Sequence, residues 1–259
     1  MHQPVRNIAL VVEYDGTDFH GFQVQPALRT VQGELEQGLL SVAQEQIRVA
    51  AAGRTDAGVH ALGQVVSFKT KSQLSPDAIL RALNSVLPDD LVVKKCVEAP
   101  PDFHARFSAR SRWYRYTILN RPEPTALARA YVYHFKRRLD LEAMQMASDL
   151  LVGTHDYASF ARVGSGATDT IRTVCQASWS RLDSLVFFDI GADGFLPQMV
   201  RGIVGTLIWV GTNKISVDEF REVMEARDRK VAGPTVPARG LCFIRATYGV
   251  PFGFQASAS

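Results

Sequence analysis

The apolar residues of the first hundred positions change their period in an order that leaves few folds open. Ile8, Leu10, Val12 and Tyr14 alternate with Ala9, Val11 and Glu13, which is the period of a strand. Val31, Leu35, Leu39 and Val42 then recur on one face of a helix over residues 31–44. Residues 46–51 and 63–70 read as two strands, and Ser75-Pro76 supplies the N-cap and first position of a second helix. That helix carries Ile79, Leu80, Leu83, Val86 and Leu87 as its stripe, Pro88 stops it, and residues 91–97 form a further strand. The order β-α-β-β-α-β is ferredoxin-like.

The second half repeats the order of elements without repeating the sequence. A strand over 107–119 ends at Asn120-Arg121-Pro122, and Asp140 caps a helix bearing Leu141, Met144, Ala147, Leu150 and Leu151 that Gly153 closes. Residues 172–180 and 185–190 form a hairpin about Leu182-Asp183-Ser184. A strongly apolar helix over 199–210 ends at Gly211, and Ser216-Val217-Asp218-Glu219 is a capping box for the next one. Residues 241–249 close the sheet. The expectation is an α+β fold of two ferredoxin-like α/β lobes, with antiparallel sheets side by side forming a central cleft. Residues 1–105 make the first lobe, 106–255 the second, and 256–259 a disordered tail.

Composition excludes several classes. No apolar run approaches the ~20 residues that span a bilayer, and Met1-His2-Gln3-Pro4-Val5-Arg6-Asn7 has no signal-peptide pattern. Cys96, Cys175 and Cys242 are far apart and odd in number, make no metal-ligand pattern and suit a reducing cytoplasm. A net charge of +3 is mild, but residues 105–138 hold nine basic residues and one acid, Glu123. Phe107, Trp113, Tyr114 and Tyr116 are interleaved among them. Arginines that meet phosphates beside rings that stack on bases suit an RNA groove, and a solvated basic strand gives the same pattern.

Between the strands at 46–51 and 63–70 lies Ala52-Gly53-Arg54-Thr55-Asp56-Ala57-Gly58-Val59-His60. A hairpin needs only a few turn residues, whereas this connection sets an Arg, an Asp and a His around two glycines. Taken alone, Asp56 is a turn residue bonding nearby amides. Arg201, on the apolar helix, is costly to bury without an anion and otherwise lies on that helix's wet face. His60 reads as a structural residue of the loop, since no second histidine stands at metal-ligand spacing.

The spacing Gly-Arg-Thr-Asp-Ala-Gly-Val-His resembles the signature of the tRNA pseudouridine synthase A family. Other segments extend the likeness over nearly the whole chain. Tyr14-Asp15-Gly16-Thr17 and Gly21-Phe22-Gln23-Val24-Gln25 resemble its first motif, with Phe19 and Phe22 keeping an aromatic and dropping a polar tip. Phe103-His104-Ala105-Arg106-Phe107-Ser108-Ala109, Gly194-Phe195-Leu196-Pro197-Gln198-Met199-Val200-Arg201 and the closing stretch from Ala232 to Leu241 resemble later ones.

The resemblance implies the pseudouridine synthase fold, an isomerase and these residue roles. Asp56 is the catalytic carboxylate, acting as covalent nucleophile or as the base that removes a sugar proton. Arg201 pairs with Asp56, and a nearby cation keeps a carboxylate ionised. Tyr114, rather than Tyr116, stacks on the target base. Arg54 positions the RNA or fills the space left by a flipped base, and the closing stretch, with Leu241, packs against the uracil. The implied reaction turns uridine into pseudouridine at positions 38, 39 and 40 of the tRNA anticodon stem-loop. It demands no cofactor and no metal, and the implied assembly is a cytoplasmic homodimer. Two other classes stay open: a non-catalytic RNA-binding protein using the 105–138 stripe, and a hydrolase, which ordinarily needs a second carboxylate that the motif lacks.

Overall fold

The computed structural model describes residues 4–164 and 169–249. The tail expected at 256–259 lies outside the described residues. The chain divides into two compact units: one runs to Arg112 and resumes at Phe243, and the other is Trp113–Cys242.

The first unit contains β1 (Arg6–Tyr14), α1 (Val31–Ala43), β2 (Ala50–Ala51), β3 (His60–Thr70), α2 (Pro76–Val86) and β4 (Leu91–Ala99). Its strands run β4-β1-β3, with β2 also on β3, and every one of these pairings is antiparallel. Ile8, Ala9, Leu10 and Val12 of β1 are fully buried, because β1 lies between two neighbours and beneath the helices. Thr30 caps α1 through the Gly33 amide, and Ser75 caps α2 through Ala78, each satisfying a helix amide that has no internal acceptor. The helices meet where Gly38 leaves room for Leu83 and Leu87. Near its end β1 shifts register between Val12 and Tyr14, a bulge of the kind that re-aims a side chain.

The second unit takes the last part of β5 (Ala109–Leu119), then β6 (Tyr133–His134), α3 (Leu141–Asp149), β7 (Gly153–Asp156), β8 (Ile171–Leu182), β9 (Leu185–Ala192), α4 (Met199–Gly211) and α5 (Val217–Glu225). It ends with the first residues of β10 (Leu241–Tyr248). Its strands run β5-β9-β8-β7. The hairpin between β8 and β9 turns at Asp183 and Ser184, and Asp183 takes a left-handed φ of 52°. Asp140 caps α3 and the Ser216–Glu219 capping box caps α5. Helix α4 is buried almost all round. A Cβ at Gly205 would stand 1.7 Å from the Pro234 carbonyl oxygen, so only glycine allows the 232–236 segment to lie on the helix backbone. Thr206 Oγ1 accepts from the Gly233 amide there at 2.9 Å.

Several boundaries differ from the sequence reading. The strand expected over 46–51 shrinks to Ala50–Ala51, with Ala50 opposite Ser67. Strand β3 begins at His60, so His60 is a strand residue rather than a loop one. Gly153 does not close α3, whose C-cap is Leu150; at φ 115° it opens β7. The sheets are not wholly antiparallel, since β6 pairs with β5 in parallel at Ile118–Tyr133 and Leu119–His134.

Candidate active site

The first unit holds the Asp56 loop by backbone bonds and through the Thr55 side chain, and leaves Arg54 at the surface. Thr55 is buried, Asp56 half-buried and Arg54 exposed. The bulge in β1 sets Tyr14 so that its hydroxyl lies 2.8 Å from Thr55 Oγ1. The Phe22 amide donates to the Thr55 carbonyl at 3.0 Å, and the Gly58 amide to Phe19 O at 3.3 Å. Within the loop, the Val59 amide closes a turn on Asp56 O at 3.2 Å. Gly21 adopts φ 89° and lies flat on this turn; a Cβ there would be 2.8 Å from Thr55 O and 3.3 Å from the Asp56 carbonyl carbon. Phe19 and Phe22 are buried, and Arg29 stacks over the Phe19 ring at 4.2 Å while chelating Asp90 at 2.7 Å on both oxygens. That neighbourhood of carboxylates raises the pKa of Arg29. The aromatic positions that lack a polar tip are therefore packing positions.

His60 clasps the other end of the loop. Its Nδ1 accepts from the Gly16 amide at 3.0 Å and lies 3.1 Å from Asp15 Oδ1. The structural role expected for His60 is what the geometry gives it.

The second unit carries Tyr114, Arg201 and Leu241. Tyr114, on β5, is buried with its ring edge-on to Phe195 at 5.0 Å. Arg201, two residues into α4, donates from Nε to Val236 O at 2.8 Å, and the Val236 amide returns a bond of 3.3 Å to Arg201 O. The helix is entered through Gln198 at φ 62°, a left-handed non-glycine residue without a side-chain cap. Such conformations cluster where function over-determines the backbone. Leu241 is buried at the start of β10. Asp56 and Arg54 thus belong to one compact unit, and Tyr114, Arg201 and Leu241 to the other.

The basic stripe breaks up by role. Arg115 chelates Asp189 at 2.7 and 2.8 Å, and Arg112 spends its guanidinium on backbone carbonyls, so neither is a free phosphate ligand. Tyr116 is fully buried and donates to Pro237 O at 2.8 Å; burial raises its phenol pKa. Phe107, 76% exposed, is open to solvent. Arg121, Arg129, Lys136, Arg137 and Arg138 are exposed, and none has a carboxylate partner among the described residues. Among those residues no group of three His, Cys, Asp or Glu could hold a metal ion, and no helix is long and apolar enough to cross a membrane.

Sequence reading gave no separate contact to Gln64, Arg112 or Val236. A glutamine inside the run Gly63-Gln64-Val65-Val66 is the one local signal among them, since an interior polar residue requires a partner.

The family model described as tRNA pseudouridine synthase matches residues 10–108 and 147–249. The matched segments contain Arg54, Asp56, Arg201 and Leu241, and Tyr114 falls between them. The tRNA pseudouridine synthase A of Acetivibrio thermocellus is 46% identical over 244 residues, covering 94% of this chain and 100% of the relative. That of Geobacillus sp. (strain WCH70) is 47% identical, covering 94% and 98%, and that of Moorella thermoacetica 45%, covering 93% and 99%. The chain belongs to the tRNA pseudouridine synthase family, whose members are isomerases.

Proposed function

We propose that this chain isomerises uridine to pseudouridine at positions 38, 39 and 40 of the tRNA anticodon stem-loop, with Asp56 as nucleophile and no cofactor. In this reaction the N1–C1′ bond breaks, the uracil turns over, C5 bonds to C1′, and the proton leaves C5 while N1 gains one. Atoms and electrons balance without an oxidant or a group donor. The chemistry needs an ionised carboxylate beside the reacting sugar and base, a slot for the detached uracil, and a way to extract a base from its stem. Asp56 is the carboxylate, Arg201 the cation that orients it, and Tyr114 and Leu241 the walls of the slot. Arg54 fills the space left in the RNA. The reading includes the central cleft expected from the sequence and a cytoplasmic homodimer on which one tRNA spans both subunits.

The observation that carries this reading is the anchored Asp56 loop in a chain of this family. Hydrogen bonds at Thr55, Asp56 and Gly58 fix the backbone on both sides of the carboxylate, while Asp56 and Arg54 keep access to solvent. The buried Tyr114 ring, held edge-on by Phe195, is a rigid surface suited to stacking. The test uses unmodified tRNA transcripts carrying tritium at uracil C5, with uridine or cytidine at 38–40. Wild-type protein releases tritium from the first set only, and carbodiimide-stop primer extension maps the product to those positions. Binding without release would make the chain an RNA-binding module, and abasic sites or strand breaks would make it a hydrolase.

A further inference from the structure

Two side chains grip consecutive carbonyls just before Arg54. Arg112 donates from Nε to Ala52 O at 3.0 Å, and Gln64 from Nε2 to Gly53 O at 2.7 Å. The Ala52 amide donates to Val65 O at 2.8 Å, so this peptide corner is held from three directions. Arg112 also donates to Ala109 O at 3.3 Å and to Arg106 O, which ties the corner to the segment entering β5. Gln64 is 0% exposed on β3, and among the described residues its amide oxygen Oε1 has no hydrogen-bond partner. The contact to Gly53 O fixes the amide orientation, because a flipped group would set two oxygens together.

A buried acceptor left unmade costs stability, and a methionine of similar volume would remove that cost at this position. The glutamine therefore serves something other than packing. What its one strong bond does is hold Gly53, three residues before Asp56.

We propose that Gln64 and Arg112 are positioning residues that act on catalysis through the backbone of the Asp56 loop. The inference rests on the reading of Asp56 as the catalytic carboxylate. Neither side chain touches the reacting atoms. With the 52–53 corner released, the loop rotates about its remaining anchors at Thr55 and Gly58, and the carboxylate leaves its line of attack. A misplacement of about 1 Å is enough to cost roughly 100-fold in rate.

The experiment compares wild type with Gln64→Met, Gln64→Glu and Arg112→Lys. It measures single-turnover tritium release at saturating enzyme, tRNA affinity by filter binding, and thermal unfolding. Gln64→Met keeps its fold and binds tRNA within about twofold of wild type, but reacts about 100-fold more slowly. Arg112→Lys, which retains a donor without the fork, falls between the two. Gln64→Glu supplies the readout that mere space-filling would not move. A carboxylic acid donates to Gly53 O only when protonated, so this variant's rate relative to wild type falls as pH rises, through a titration absent in wild type and in Gln64→Met. Wild-type rate in Gln64→Met, losses matched by lost folding or tRNA binding, or a Gln64→Glu ratio flat with pH would each overturn the proposal. A wild-type protein that releases no tritium would instead overturn the synthase reading.

Discussion

Replacing Gly21 by alanine puts the coupling between loop packing and activity to a direct test. Gly21 has φ 89°, a region that costs an L-residue about 1–2 kcal/mol. The added Cβ would also lie 2.8 Å from Thr55 O, 3.2 Å from the Ala57 amide nitrogen and 3.3 Å from the Asp56 carbonyl carbon. All three are backbone atoms of a turn that is already hydrogen-bonded, so none can rotate away. Overpacking of this kind costs about 1–3 kcal/mol more. The sum, about 2–5 kcal/mol, lowers the unfolding midpoint by roughly 4–10 °C in a chain of this size. The same displacement moves the Asp56 peptide itself. The tritium-release rate therefore falls about 100-fold at temperatures where the variant is still folded. Circular dichroism melts and single-turnover assays read the two effects separately. A Gly21→Ala protein with the wild-type midpoint and rate would refute the packing argument.

Thr55→Val removes the 2.8 Å bond to Tyr14 and is destabilising by about 1–3 kcal/mol, whereas the Tyr14→Phe/Thr55→Val pair loses less than the sum of the singles; a double-mutant cycle in urea checks this. Burial pushes the Cys96 thiol up to about 12, so above its ordinary pKa the unfolded state releases a proton that the folded state keeps. Stability therefore falls between about pH 9 and 12. Cys96→Ala shows a shallower fall in the same denaturant titrations. The exposed Cys175 reacts with a thiol reagent in the native protein, and Cys96 reacts only on unfolding. Replacing Lys136, Arg137 and Arg138 by alanine weakens tRNA binding and flattens the slope of log affinity against log salt by about 0.7–0.9 for each phosphate no longer neutralised. An unchanged slope would take this surface out of the RNA interface.

The elements most legible in the sequence were those with a chemical marker at their ends. Ser75-Pro76, Asp140 and the Ser216–Glu219 box each start a helix where their capping chemistry says, and the Asp183 turn joins β8 to β9. Strands β6 and β7 were missed because two and four residues are too few to show a period. The strand expected over 46–51 was overdrawn: Ile47 and Val49 are buried by tertiary packing, and only Ala50 and Ala51 enter the ladder. In the site, the motif residues stood out because their spacing is unusual. Composition alone set Tyr116 beside Tyr114 in the basic stripe; the structure buries Tyr116 with its hydroxyl on Pro237 O. The grip of Gln64 and Arg112 was illegible because a bond to a backbone carbonyl leaves no mark on the carbonyl's own residue. Arg112 looked like one more cation in a basic stripe.

The most direct test of the central claim is Asp56→Asn, which keeps the shape of the side chain and removes its charge. Its tRNA affinity and its tritium release are measured side by side with wild type. The account predicts binding close to wild type with no detectable release. Release at an appreciable fraction of the wild-type rate would show that another group performs the chemistry.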